Sequence, residues 1–352
     1  GVAVAVDLVD ASEVGVDHFP AGGLPRGDQG RQFGGCPLPE FCAHCANLTP
    51  DASTKRRGHS VSRISVNGLD IEVEEFGDPA DPPLLLIMGL GAQMIVWPEE
   101  LCRQLADAGH HVIRFDNRDV GLSSWFDGAG VPDMEAVFED AVAGRPVESP
   151  YSLSDMADDA VGVLDALGID SAHIVGASMG GMIAQQVAIR HPDRTRSLCS
   201  IMSMPRFIIG DPEVTAVLMA EDPGTREARI EVGIEGSRFL AGDGFPFDEE
   251  RTRTSFEATI DRAWHPEGTA RQMAAILADG DRTEALRGVT APTVVVHGTS
   301  DRLVLPQGAE ETASAVPGAE LVWIDGMGHE LPLGAHQQIV DAVCRLVERA
   351  GN

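Results

Sequence analysis

Short, largely apolar runs recur along this chain and are separated by amphipathic stretches. The runs lie at residues 84–88, 111–116, 172–176, 197–202, 293–297 and 320–324. Continuous apolar runs of this length are typical of strands that are buried on both faces of a parallel sheet. The stretches between them include helix-like segments at residues 97–108, 153–167 and 336–348. Strands that alternate with helices predict an α/β fold with a mostly parallel central sheet flanked by helices.

An antiparallel hairpin precedes the first of these runs. Residues 62–66 and 69–74 alternate between polar and apolar side chains, and Asn67-Gly68 lies between them. The Asn-Gly pair favours a tight two-residue turn, because both positions need a positive φ angle.

The chain divides into three parts. Residues 1–60 are rich in Gly, Pro and Asp and lack periodicity, so we interpret them as an irregular N-terminal extension. Residues 61–204 and 290–352 form the expected α/β core. Residues 205–289 interrupt the alternation with helix-like sequence, which predicts a helical cap inserted after a core strand. Ligands bind at the carboxyl ends of parallel strands, so a cap placed there would shape a pocket.

Charge excludes several classes of partner. Lys and Arg number 26 against 55 Asp and Glu, and the formal net charge is −29. A chain this acidic repels nucleic-acid phosphates and anionic lipid headgroups, so we expect neither partner. No run of 18 apolar residues predicts a membrane span, and the first residues lack the basic region of a signal peptide. The expectation is a cytoplasmic protein with a small-molecule substrate.

The cysteines give no clear metal site. Cys36, Cys42 and Cys45 cluster near the start, where His44 or His59 would complete a zinc site. A second ligand pair at defined spacing is absent, which favours a chance cluster. The other three cysteines stand among apolar residues, as reduced core cysteines do. We therefore expect no metal and no cofactor.

The strongest chemical signal is the G-x-S-x-G pattern at residues 176–180. A buried strand precedes it and a helix follows it, which is the setting that a nucleophilic serine on a sharp turn requires. Ser178 would project above the sheet, and the helix N-terminus would direct its N–H groups toward developing negative charge.

A serine nucleophile needs a base, and the base needs an acid that orients it. Asp301 follows the run at 293–297, and His329 follows the run at 320–324. Their order after Ser178 matches the order serine, acid, histidine of this architecture. Asp325 competes for the role of the acid, but it lies too near His329 in sequence to orient the imidazole easily.

Two backbone N–H groups are candidates for the oxyanion hole. One belongs to Met179, directly after the serine, and the other to Leu90 in the loop after the first parallel strand. The glycines of this loop do not make a dinucleotide-binding pattern, because Met94 stands where the third glycine is needed.

Over residues 61–352 the chain resembles the α/β-hydrolase superfamily, in the form that carries a lid. Residues 116–123, DNRDVGLS, are similar to the D-x-R-G-x-G-x-S loop of these enzymes, although Asp119 replaces the usual Gly. Met88 also stands where many members carry His. Segments at 76–82, 84–89, 97–99, 111–114, 244–248 and 326–329 are similar to the aclacinomycin methylesterase family. That resemblance implies ester hydrolysis with the same serine, acid and histidine, but it does not fix the substrate.

Apolar residues near the strand ends are candidates for the substrate pocket. They are Trp97, Met182, Met204, Phe207, Ile208 and Met219. We expect a serine carboxylesterase that hydrolyses neutral esters of short to medium acyl length. Three alternatives remain: a methylesterase on a bulky polyketide-like ester, a cofactor-free perhydrolase or C–C hydrolase, and a non-catalytic relative that binds a ligand or partner.

Overall fold

The computed structural model describes residues 58–211, 213–214 and 222–351. Eight strands form one sheet: β1 (Gly58–Val66), β2 (Leu69–Gly77), β3 (Pro83–Ile87), β4 (His111–Phe115), β5 (Ala172–Ala177), β6 (Thr195–Ile201), β7 (Thr293–Gly298) and β8 (Glu320–Ile324). Their spatial order is β1-β2-β4-β3-β5-β6-β7-β8. All pairs from β4 to β8 are parallel, whereas β1 and β2 join as an antiparallel hairpin at one edge. The predicted α/β fold with a mostly parallel sheet is confirmed.

Helices flank the sheet. In the core they are α1 (Glu99–Asp107), α2 (Met134–Val142), α3 (Leu153–Ala166), α4 (Met179–Arg190), α9 (Pro306–Ala315) and α10 (His336–Ala350). Between β6 and β7 lie α5 (Arg226–Leu240), α6 (Glu249–Arg262), α7 (Pro266–Asp279) and α8 (Thr283–Leu286). We call residues 205–289 the cap segment.

Two hydrophobic layers enclose the sheet, because successive strand residues point to opposite faces. In β3, Leu85 and Ile87 pack in the layer formed with α3 and α4. Leu84 and Leu86 pack in the other layer, with α1 and α10. A strand that is apolar on both faces therefore lies in the middle of the sheet, as its sequence predicts.

The hairpin forms as expected, with one shift at its start. Asn67 and Gly68 both have positive φ angles, 53° and 82°, and connect β1 to β2. Strand β1 begins at Gly58, so residues 58–60, assigned to the extension from sequence, belong to the sheet. The rest of the extension and the cluster of Cys36, Cys42 and Cys45 lie outside the described residues.

The described part of the chain offers neither a membrane-spanning helix nor a cluster of metal ligands. No helix there has the length and apolar character needed to cross a membrane. Likewise, no three His, Cys, Asp or Glu side chains within residues 58–211, 213–214 and 222–351 come together as metal ligands.

Candidate active site

Ser178 lies at the sharp turn between β5 and α4. Its backbone is in the left-handed region, with φ 57° and ψ −123°, which is strained for a residue with a side chain. The turn also needs glycines at close approaches. A Cβ on Gly176 would lie 2.0 Å from the Gly180 carbonyl oxygen, and one on Gly180 would lie 2.0 Å from that of Ile87. The two glycine positions of the G-x-S-x-G pattern therefore leave no space for a side chain.

Three side chains from separate strand ends form one hydrogen-bonded chain, which we call the relay. The Ser178 Oγ lies 3.0 Å from His329 Nε2, and His329 Nδ1 lies 2.8 Å from Asp301 Oδ2. A carboxylate accepts hydrogen bonds, so Nδ1 carries the proton and Nε2 is free to accept from the serine hydroxyl. The structure thus brings together the three residues predicted from sequence.

Asp301 is held by more than the imidazole. Its Oδ1 accepts hydrogen bonds from the N–H groups of Leu303 and Val304, at 3.0 and 2.9 Å. The fully buried His297 lies 3.6 Å from Oδ2, and its Nε2–H donates to the Val304 carbonyl over 2.8 Å. Burial lowers the pKa of His297, which keeps that ring neutral beside the carboxylate. Because the two N–H groups bind Oδ1 and the His297 proton goes to the Val304 carbonyl, Oδ2 of Asp301 stays available to His329.

The two predicted oxyanion donors belong to Met179, next to the serine in sequence, and to Leu90, whose loop approaches the serine: a Cβ on Gly89 would lie 3.0 Å from the Ser178 Cβ. In the described part of the chain, neither the Leu90 nor the Met179 N–H donates to another group. The Met179 N–H is free because the first N–H groups of a helix have no partner within it. Asn117, buried after β4, donates to the Met88 carbonyl over 2.9 Å and so holds the start of the Leu90 loop.

Backbone atoms of the cap segment contact the loop that carries His329. The His329 N–H donates to the Leu240 carbonyl over 2.8 Å, and the Gly244 N–H donates to the Gly326 carbonyl over 2.9 Å. A Cβ on Gly242 would lie 2.0 Å from the Gly326 oxygen. The backbone of the cap segment therefore packs directly against the backbone of the histidine loop.

Side chains of the cap segment contact the loop that follows β4. Asp119, fully buried, has a φ of 68°, which explains why related loops use glycine there. Its carboxylate accepts two hydrogen bonds from the Arg271 guanidinium of α7, at 2.8 and 2.9 Å, and one from the Phe126 N–H at 2.6 Å. Burial acts to raise the pKa of Asp119, but these hydrogen bonds hold it below its ordinary value.

The candidate pocket residues do not all meet. Met182 and Met204 are buried in the layer with α3 and α4, and Phe207 and Ile208 pack against that layer. Trp97 is buried in the other layer, with α1 and α10, and does not pack with these four. Met219 lies outside the described residues. The local apolar character of Trp97 did not reveal which face of the sheet it would occupy.

Three residues at the site were missed by the sequence reasoning. Asn117 follows β4 and His297 lies near the end of β7, and a position at the carboxyl end of a core strand is the signal that could have found them. Gln272, on α7, contacts the Leu90 loop from the cap segment, and its sequence context carries no comparable signal.

Comparisons with known proteins identify the family of this chain. The α/β hydrolase fold family matches residues 82–229. Rhodomycin D methylesterase DauP of Streptomyces sp. (strain C5) is 32% identical over 303 residues, covering 77% of this chain and 92% of that protein. Rhodomycin D methylesterase DnrP of Streptomyces peucetius is 32% identical over 294 residues, with the same coverages.

Solved structures show the same fold. A meta-cleavage product hydrolase from Pseudomonas fluorescens IP01 (CumD) superposes with a TM-score of 0.65 at 21% identity, covering 84% of this chain and 99% of that one. The enol-lactonase from Burkholderia xenovorans LB400 gives a TM-score of 0.60 at 23% identity, with coverages of 82% and 99%. With its sheet order, its strand-to-helix serine turn and these relatives, the chain belongs to the α/β-hydrolase fold family.

Proposed function

We propose that this chain is a serine carboxylesterase that hydrolyses neutral esters through an acyl-enzyme. The hydrogen-bonded relay of Ser178, His329 and Asp301 carries the proposal, because its two distances match those that a serine nucleophile, its base and an orienting acid require. The methylesterase relatives support ester hydrolysis as the class of reaction.

The proposed reaction starts at the serine. His329 Nε2 takes the hydroxyl proton as Ser178 Oγ attacks the ester carbonyl carbon, and Asp301 stabilises the imidazolium that forms. The N–H groups of Leu90 and Met179 donate to the oxyanion of the tetrahedral intermediate. His329 then gives its proton to the leaving alcohol, and water hydrolyses the acyl-enzyme by the same steps in reverse order. No metal or organic cofactor takes part in these steps.

The surroundings favour a neutral substrate. The chain carries a net charge of −29, and acidic side chains outnumber basic ones in the cap segment, so an anionic ester would be repelled. The buried side chains of Met179, Met182 and Met204 are apolar and adaptable in shape. They suit a short to medium acyl group.

A second candidate is hydrolysis of the methyl ester of a bulky polycyclic acid. Two relatives that are 32% identical over 77% of this chain are rhodomycin D methylesterases, and this observation favours it. The same relay would serve, with methanol as the leaving group.

The test compares wild type with Ser178→Ala, Asp301→Asn and Ser203→Ala. Substrates are p-nitrophenyl esters of graded acyl length and methyl pyrene-1-carboxylate, whose methanol release is measured with a coupled oxidase. We expect Ser178→Ala to lower kcat by about 10⁴-fold or more, and Asp301→Asn by about 10⁴-fold, since each removes part of the relay. Ser203 is buried just beyond β6 and outside the relay, so Ser203→Ala is the matched control and should retain activity.

The outcomes separate the alternatives. Serine-dependent turnover of the p-nitrophenyl esters supports the carboxylesterase, whereas turnover confined to the methyl ester supports the second candidate. Full activity in folded Ser178→Ala contradicts the mechanism. If folded wild type hydrolyses no ester, the activity belongs to a perhydrolase or C–C hydrolase, or the chain is a non-catalytic binding protein.

A further inference from the structure

The loop that carries the Leu90 N–H is short, and it needs a contact at each end to hold that N–H in one direction. Asn117 holds the near end through the Met88 carbonyl. At the far end Gly91 has a φ of 63°, and a Cβ there would lie 2.6 Å from the Thr269 hydroxyl of α7. The loop therefore reaches the cap segment immediately after Leu90.

Gln272 makes the polar contact at that point. Its Oε1 accepts a hydrogen bond from the Gly91 N–H over 2.8 Å, and its Nε2 donates to the Arg118 carbonyl over 2.8 Å. The side chain is fully buried, so water does not compete for either bond. One amide thus ties the oxyanion loop to the loop after β4.

The position of Gln272 is itself fixed by its neighbour. Arg271 forms the buried bidentate ion pair with Asp119, which holds this turn of α7 against the core. Gly268, one turn earlier on α7, packs so closely that a Cβ would lie 2.0 Å from the Asp119 carbonyl oxygen. The helix cannot slide along the core without breaking these contacts.

We propose that Gln272 is a positioning residue, contributed by the cap segment, that aims the Leu90 N–H at the oxyanion. This inference rests on the proposed function. With Asn117 at one end and Gln272 at the other, the peptide between Gly89 and Leu90 is held from both sides. The cap segment thereby takes part in transition-state stabilisation as well as enclosing the substrate.

The kinetic consequence is specific. Negative charge on the oxygen develops in the transition state, so a misdirected N–H weakens transition-state binding more than substrate binding. Loss of Gln272 should therefore lower kcat and leave KM nearly unchanged. A residue that only stabilises the fold would change the amount of active protein without weakening a transition-state analogue.

The experiment compares Gln272→Leu, Gln272→Glu and Gln186→Leu with wild type on the best ester. Gln186 is the matched control, because its Nε2 donates to Asp279 over 2.7 Å and ties the other end of α7 to α4. We expect Gln272→Leu to lower kcat about 10-fold to 100-fold, to change KM less than twofold, and to weaken inhibition by a trifluoromethyl ketone in parallel with kcat. Gln272→Glu retains an acceptor for the Gly91 N–H and should recover part of the loss.

The competing results are distinct. Equal kcat losses in Gln272→Leu and Gln186→Leu, or a loss confined to KM, would overturn the positioning role. So would unchanged kinetics in Gln272→Leu while Ser178→Ala is inactive, and in that case the esterase proposal stands. If wild type shows no turnover that depends on Ser178, the proposed function fails and the positioning role fails with it.

Discussion

The cap segment meets the candidate site in two regions that are built differently. At the loop of His329 the contacts join backbone to backbone, with glycines on both sides. At the loop of Leu90 and the loop after β4 the contacts are buried side chains, the amide of Gln272 and the ion pair of Asp119 with Arg271. The first region depends on the absence of side chains, and the second depends on their chemical identity.

The two regions also respond to pH in opposite directions. The pKa of Asp119 lies below its ordinary value because of its hydrogen bonds to Arg271 and the Phe126 N–H, even though burial opposes this. Beside the histidine loop, burial raises the pKa of Glu330, whose Oε1 accepts from the Gly242 N–H over 3.1 Å. A carboxyl group whose pKa is lower in the folded state adds stability at pH values above its ordinary pKa. A carboxyl group whose pKa is higher in the folded state reduces stability as the pH rises past its ordinary pKa.

The largest effect is expected from breaking the side-chain contact. Arg271→Met leaves the Asp119 carboxylate buried without a cation, which should lower the free energy of unfolding by about 3–5 kcal/mol. Urea unfolding at neutral pH measures it. In the double variant Asp119→Gly with Arg271→Met most of the loss should be recovered, because glycine also suits the positive φ.

The control for this experiment is an exposed ion pair of the same residue types. Arg226 pairs with Asp261 on the surface of the cap segment, at 2.6 Å. Arg226→Met should change stability much less, since water screens exposed pairs. If both single variants lose the same stability, the buried pair has no special role in joining cap to core.

A smaller effect is expected at the backbone contact. Gly242→Ala places a methyl group 2.0 Å from the Gly326 oxygen, so the two loops must separate. We expect a loss of about 1–3 kcal/mol in the free energy of unfolding, with reduced esterase activity because His329 shifts. Gly128→Ala is the matched control, because its Cβ meets no atom within 4 Å and its φ is not positive. Unchanged stability in Gly242→Ala would show that this contact is looser than the structure indicates.

The smallest effect concerns pH. Since the folded state holds the Glu330 proton more tightly than the unfolded state, stability should fall as pH rises from the ordinary value of 4.5 through the raised pKa. Glu330→Gln removes this decline, so the variant should gain stability relative to wild type across that range and keep the gain above it. Urea unfolding at a series of pH values measures the difference.

The double variant at Asp119 and Arg271 should change the pH dependence of stability in the opposite direction. It lacks a carboxylate with a lowered pKa, so it should lose less stability than wild type as pH falls below 3.8. Parallel curves for Glu330→Gln and wild type would contradict the assignment of the decline above pH 4.5 to Glu330.

The sequence predicted the sheet and the relay because both follow from local pattern. Ser178 comes directly after β5, whereas Asp301 and His329 lie in the loops that follow β7 and β8. Parallel strands that are close in a sheet bring their carboxyl ends to one edge. No such rule links Gly91 to Gln272, which lie 181 residues apart. That contact depends on how α7 packs, and packing depends on side chains that were not identified as partners.

Asp119 shows the same limit in another way. Its replacement of the usual glycine was visible in the loop motif, but the reason was not, because Arg271 lies 152 residues later in the cap segment. Trp97 shows a related limit. An apolar residue near a strand end is expected to be buried, yet its sequence does not say on which face of the sheet.

The ion pair of Asp119 with Arg271 also limits how this fold can be recombined. Its two halves lie on either side of the junction at which a designer would exchange one cap for another to change specificity. A foreign cap without a cation at this position would bury an unpaired charge in the host core, whereas this cap on a host with glycine would bury an unpaired guanidinium. Chimaeras of this protein therefore need both residues to be transferred together, or both removed.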